Sequence, residues 1–172
     1  QDGFKSVYIR LTSGDFFTNE ARVLADLVDD YAGDDIRIGI NQGLQLRYVK
    51  AESLTYIYSV LKGVNMVKPG FDSTMDVTSC PGTTTCNLGI SDSTFAAKEM
   101  EKFMAIKHPD LVFNNEIKIK ISGCMNSCGQ HSLAQIGFHG STIRVKSTKK
   151  VMPALQVLLG GGAVKDGLGR IS

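Results

Sequence analysis

Apolar and polar residues alternate in short runs along the chain, and these runs exchange with stretches of helical spacing. Val7, Ile9 and Leu11 alternate with Tyr8 and Arg10, the period of a strand with one buried face. Gly14-Asp15 breaks this run. Thr18 stands where a helix can begin, and Ala21, Leu24, Ala25, Val28 and Tyr31 recur at helical spacing up to Gly33. Ile36, Ile38 and Ile40 alternate again, as do Leu44, Leu46 and Tyr48, with the turn formers Asn41-Gln42-Gly43 between them. Leu54, Ile57, Tyr58 and Leu61 predict a second helix. The order β-α-β-β-α over residues 5–62 makes a compact α+β half-unit, and Lys62 to Phe71, with Pro69-Gly70, reads as a linker.

Beyond the linker, Met75 to Thr78 predicts a short strand running into Cys80. A helix is expected from near Asn87 to Lys107, with Ala97, Met100 and Met104 on one face and His108-Pro109 as its stop. Ile117, Ile119 and Ile121 alternate with Lys118 and Lys120, a strand that runs into Gly123-Cys124 and places both lysines on its solvated face. A short helix is expected over Met125–Ala134. Ile143 and Val145, then Leu155, Val157 and Leu159, predict further strands before Gly160-Gly161-Gly162.

Composition narrows the function classes. The 172 residues fit one domain or two small ones, enough to bury a core without disulfides. A net charge of +2 gives no sign of a nucleic-acid or membrane surface, and no apolar run approaches the roughly 18 residues of a membrane helix. The start at Gln1 lacks an initiator Met and the regions of a signal peptide, so a chain cut from a longer, cytoplasmic protein with reduced thiols is expected.

The four cysteines fall in two pairs. Cys80 and Cys86 enclose five residues, Cys124 and Cys128 three, and 37 residues separate the pairs. Cys80-Pro-Gly-Thr-Thr-Thr-Cys86 is rich in turn formers and has no large apolar residue to bury, so it reads as a loop around something. On a helix, Cys124 and Cys128 would share one face. Each pair follows an expected strand and leads into an expected helix, whose N–H groups favour a thiolate. Isolated cysteines are most often small buried hydrophobes, but two pairs in glycine-flanked turns are not isolated. Structural zinc prefers two to four residues within each pair, and the five-residue gap counts against it. Spacing alone places an iron–sulfur cluster only slightly ahead of zinc.

The residues around the cysteines go further. Thr78-Ser-Cys-Pro-Gly-Thr-Thr-Thr-Cys-Asn-Leu88 and Ser122-Gly-Cys-Met-Asn-Ser-Cys-Gly-Gln130 resemble the paired motifs of the siroheme-dependent sulfite and nitrite reductase family. Phe4–Val64, including Ile38-Gly39-Ile40-Asn41-Gln42, resembles that family's ferredoxin-like half-domain, and Ala154–Gly161 its strand-plus-glycines segment. The resemblance covers nearly the whole chain. It implies an α+β fold, with a ferredoxin-like half-domain over residues 1–70 and a mixed α/β siroheme- and cluster-binding domain over 71–172, truncated at its C-terminus. It further implies a 4Fe–4S cluster held by Cys80, Cys86, Cys124 and Cys128, with Cys128 also ligating the siroheme iron. Electrons from a ferredoxin or a flavoprotein would then cross the shared sulfur to sulfite or nitrite. The basic residues that grip the anion belong to a missing N-terminal half, so no catalytic residue is identified here and the piece alone is expected not to turn over. A cluster-only electron carrier, and a zinc or metal-free protein, are the alternatives.

Other residues carry weaker readings. Asn41 and Gln42 stand as siroheme contacts or as plain turn formers. Asn126 is a donor to the cofactors or a helix cap. Gly123 and Gly129 permit close backbone approach to a cluster, and Gly160 to Gly162 do the same for the haem face or form a flexible turn. His131 is a poor candidate ligand beside four thiolates. Lys146, Lys149 and Lys150 form a solvated charge cluster that could receive an acidic electron donor. Gln135 stands where the resembled family has an acid.

Overall fold

In a computed structural model, residues 3–163 and 169–170 are described. The chain divides into two compact units, Gln1–Phe71 and Asp72–Ser172. The fold is α+β.

The first unit has the order read from its periodicity. Strand β1 (Phe4–Ile9), helix α1 (Thr18–Tyr31), strands β2 (Ile36–Ile38) and β3 (Leu44–Lys50) and helix α2 (Leu54–Gly63) follow in turn. The sheet is antiparallel, in the order β1-β3-β2. Leu24, Leu27 and Val28 of α1 and Ile57 and Leu61 of α2 bury their side chains against Ile9, Leu44, Leu46 and Val49. Burial of side chains of this size contributes about 1.5–3 kcal/mol each. The β2–β3 turn closes through Gly39 N–H to Gly43 O at 2.8 Å and Gln42 N–H to Gly39 O at 3.0 Å. Gln42 is left-handed there, with φ 66°.

The second unit is built on a four-stranded sheet of β4 (Thr78–Ser79), β5 (Ile119–Ser122), β6 (Ile136–Arg144) and β7 (Val151–Leu159), in that spatial order. β4, β5 and β6 are parallel, and β7 returns antiparallel to β6. Parallel neighbours need a crossover of about a dozen residues or more. Helix α3 (Ser93–Lys107) lies in the crossover from β4 to β5, and the segment 123–135 makes the one from β5 to β6. Met75, Val77, Ala97, Met104, Ile119 and Ile121 form the core. A further two-stranded pair joins β8 (Gly162–Ala163) to β9 (Gly169–Arg170).

Several local expectations change. The short strand expected over Met75 to Thr78 is Thr78–Ser79, with Met75 and Val77 buried in the core ahead of it. Helix α3 begins at Ser93 rather than near Asn87, because Asp92 caps it by accepting the Phe95 N–H at 3.0 Å. The segment 125–134 holds no α-helix, only a single 3-10 turn over His131–Leu133. Ser127 and Gln130 adopt φ 60°, a conformation that interrupts a right-handed helix. The β6 strand also starts at Ile136, earlier than the alternation at Ile143 indicates.

Candidate metal centre

Strands β4 and β5 pair in parallel, Thr78 with Lys120 and Ser79 with Ile121. Each runs at its carboxyl end into a cysteine loop, so parallel pairing brings the starts of both loops to the same edge of the sheet. Ligand sites in open parallel sheets form at this edge. The two loops are also fastened to each other. The Cys80 N–H donates to Ile121 O at 3.1 Å, and the N–H groups of Ile90 and Ser91 both donate to Gly123 O, at 2.8 and 3.0 Å. The Gly123 N–H donates to Cys80 Sγ at 3.1 Å.

Glycine is required where the loops touch. A methyl group at Gly123 would sit 2.5 Å from Gly82 Cα and 2.9 Å from Ser91 O, and one at Gly89 would sit 2.7 Å from the carbonyl carbon of Gly82. Gly82 itself is left-handed, with φ 57°. The first loop tightens over Gly82–Thr84, and the Cys86 N–H closes it by donating to Gly82 O at 3.0 Å. Ser93, at the start of α3 and fully buried, donates to Cys80 O at 2.7 Å. The second loop is anchored at Gly129, whose N–H donates to Ser122 Oγ at 3.0 Å.

All four thiols are free, Cys86 and Cys128 exposed and Cys80 and Cys124 half-buried. They are not the small core hydrophobes that isolated cysteines usually are. Among the described residues, no three or more His, Cys, Asp or Glu side chains converge as they would on a single metal ion. Four free thiols are a soft donor set, of the kind that takes an iron–sulfur cluster or zinc. One helical reading of this site needs correction: Cys124 and Cys128 do not share a helix face. Cys80 Sγ does lie at a helix start, 3.5 Å from the hydroxyl of Ser93, the first residue of α3, as well as accepting the Gly123 N–H.

The remaining sequence candidates are placed as follows. Asn126 is exposed in the turn between Cys124 and Cys128, so it caps no helix. Asn41 is buried and Gln42 half-buried in the β2–β3 turn. His131 is buried, with its ring centroid 5.0 Å from that of His139. Burial, with a smaller contribution from His139, pushes the His131 pKa below the ordinary imidazole value. Gln135, at the position of the expected acid, accepts the Lys118 N–H at 2.8 Å. Lys118 and Lys120 are not a merely solvated face. Lys118 pairs with the Asp72 carboxylate at 2.9 Å, and Lys120 is half-buried against Thr78 and Gln130. Nothing in the alternation signals this, because a lysine opposite a core face ordinarily points to water.

No helix among the described residues is long and apolar enough to cross a membrane. Residues 1–64 match the nitrite/sulfite reductase ferredoxin-like half domain, and residues 70–168 match the nitrite and sulphite reductase 4Fe-4S domain. A chloroplastic ferredoxin–nitrite reductase of Zea mays is 26% identical over 96% of this chain and 29% of its own length. An assimilatory ferredoxin-dependent nitrite reductase of Haloferax mediterranei is 28% identical over 94% of this chain and 27% of its own. A sulfite reductase [NADPH] hemoprotein beta-component of Bacillus licheniformis is 28% identical over 62% of this chain. The structure of Mycobacterium tuberculosis NirA protein superposes with a TM-score of 0.84, at 23% identity, over 99% of this chain and 31% of that one. The chain thus spans less than a third of the length of these nitrite reductases.

Proposed function

From the premise that the chain belongs to the nitrite and sulfite reductase family, whose cofactors are a 4Fe–4S cluster and siroheme, we propose that it forms the cluster-holding part of an enzyme that reduces nitrite to ammonia or sulfite to sulfide. In this reading Cys80, Cys86, Cys124 and Cys128 are the cluster ligands, and the exposed Cys128 also serves the siroheme iron. Asn41, Gln42 and Asn126 are polar contacts to the siroheme. Ferredoxin or a flavoprotein supplies the electrons, and the exposed Lys146, Lys149 and Lys150 form a basic turn suited to an acidic donor. The relatives named as nitrite reductases match 94–96% of the chain, which makes nitrite the anion to test first.

One observation carries the reading: two glycine-lined cysteine loops are hydrogen-bonded together at the carboxyl edge of paired parallel strands. The cofactors, when bound, supply the storage and delivery of electrons to the anion. The chain's residues do the rest. Gly82, Gly89 and Gly123 let two backbones meet without side chains between them. The Gly123 N–H meets the negative charge at Cys80. Ser93 holds the start of the first loop through Cys80 O, and Ser122 holds the end of the second through the Gly129 N–H.

Magnetic coupling tests the proposal. The chain, loaded anaerobically with iron, sulfide and siroheme, should show a cluster spin-coupled to the haem iron, and Cys128→Ser should abolish that coupling. A haem spectrum identical in the chain and in Cys128→Ser would overturn the assignment of Cys128.

A further inference from the structure

Three cysteine arms meet at a side chain that the cluster reading does not use. Lys120 and Thr78 are register partners across β5 and β4, so their side chains share the sheet face opposite Ile119 and Ile121. The Lys120 ammonium donates to Thr78 Oγ1 at 3.3 Å and to Gln130 Oε1 at 3.1 Å. Thr78 lies two residues before Cys80, Lys120 four before Cys124, and Gln130 two after Cys128. Gln130 is held left-handed at φ 60°, a conformation that a non-glycine residue keeps only when its surroundings fix it. Burial pushes the Lys120 pKa below the ordinary ammonium value; the charges of Asp72 and Asp76 oppose this and that of Lys118 adds to it. The carboxylate of Asp72 is paired with Lys118 at 2.9 Å.

We propose that Lys120 is a positioning residue for the metal centre: its ammonium ties the arms of Cys80, Cys124 and Cys128 into one frame and supplies a fixed positive charge beneath them. The inference rests on the cluster reading above. A charge-assisted bond to a neutral amide is stronger than a neutral one, and second-shell partners of metal ligands commonly control affinity by tenfold or more. Lys120 does this from outside the ligand set, through the turn that carries Cys128.

Four versions of the full chain test it: wild type, K120M, Q130N and K118M. Asparagine at 130 keeps the left-handed preference but shortens the reach to Lys120. Lys118 shares the sheet face without touching Gln130. In the metal-free chains, amide exchange at Gly129 should quicken roughly tenfold in K120M and Q130N, and stay at the wild-type rate in K118M. In chains reconstituted with iron and sulfide, chelator should strip the cluster roughly tenfold faster from K120M and Q130N. The cluster's midpoint potential should fall in K120M, which loses the cation, and hold in Q130N, which keeps it.

Equal exchange at Gly129 in all four chains would overturn the inference, whatever metal is bound. A stable cluster in K120M with wild-type chelator kinetics would overturn it as well. A wild-type chain that takes up no cluster would instead refute the cluster reading, and with it any role of Lys120 toward a cluster.

Discussion

Replacing Gly123 by alanine is the sharpest structural perturbation of the site. The added methyl would lie 2.5 Å from Gly82 Cα and 2.9 Å from Ser91 O. Carbon atoms prefer about 3.5–4.0 Å, so the two cysteine loops would have to separate by roughly 1 Å. The obstacle is backbone on both sides, which cannot rotate away as a side chain can. Overpacking of this kind costs about 1–3 kcal/mol. Separation would also stretch the Ile90 and Ser91 bonds to Gly123 O and the Gly123 bond to Cys80 Sγ, and each such bond is worth about 1 kcal/mol. A total loss of at least about 2 kcal/mol follows. For a unit of this size that lowers the melting temperature by roughly 8 °C or more. Gly63→Ala is the control, because a methyl there meets nothing within 4 Å. Calorimetry on the metal-free chain should show the loss in Gly123→Ala and none in Gly63→Ala. A Gly123→Ala chain melting within about 2 °C of wild type would refute the reasoning about backbone contact.

Further outcomes follow from the same geometry. Ile121 is fully buried in the core of the second unit; Ile121→Ala should cost about 2–5 kcal/mol and Ile121→Val about 0.5–1.5 kcal/mol in urea unfolding. Gln135→Leu should destabilise by about 1–3 kcal/mol, because the Lys118 N–H loses its acceptor, whereas Gln135→Glu retains an acceptor and should fold like wild type. In the first unit, hydrogen bonds from Arg47 hold the Asp35 carboxyl below its ordinary value. The folded-state pKa is thus lower than the unfolded one. The associated stability is present above the unfolded value of about 4 and is lost as pH falls through the folded value. Arg47→Met should flatten that acid slope in a series of melts between neutral pH and strong acid, and an unchanged slope would assign it to other carboxylates.

Much of the fold was legible because local patterns and tertiary structure agree. The alternation at Val7 and Ile9 became β1, the spacing of Leu24 and Val28 became the buried face of α1, and Ile119 and Ile121 became the core face of β5. The misreadings cluster at the site. Composition over 125–134 permits a helix, and it took the left-handed Ser127 and Gln130 to exclude one. Which strands pair is a long-range property, so the common edge reached by Cys80 and Cys124 could not be read from either motif alone. Lys120 looked solvated because its neighbours alternate correctly, and only the approach of Gln130 from another loop covers it. The glycines at 123 and 129 were read as points of close approach to a cluster, and the contacts the structure shows at both are with the protein's own backbone. Gly123 meets the other cysteine loop, while Gly129 lies against Ile121 O.

The central claim is that these four cysteines hold one iron–sulfur cluster. Metal and acid-labile sulfide analysis of the anaerobically reconstituted chain, beside its four single Cys→Ser variants, tests it most directly. The account predicts about four irons and four sulfides per chain, with loss of the cluster's visible absorption in the variants at Cys80, Cys86, Cys124 and Cys128. About one zinc per chain with no sulfide, or iron and sulfide uptake unchanged by all four substitutions, would contradict it.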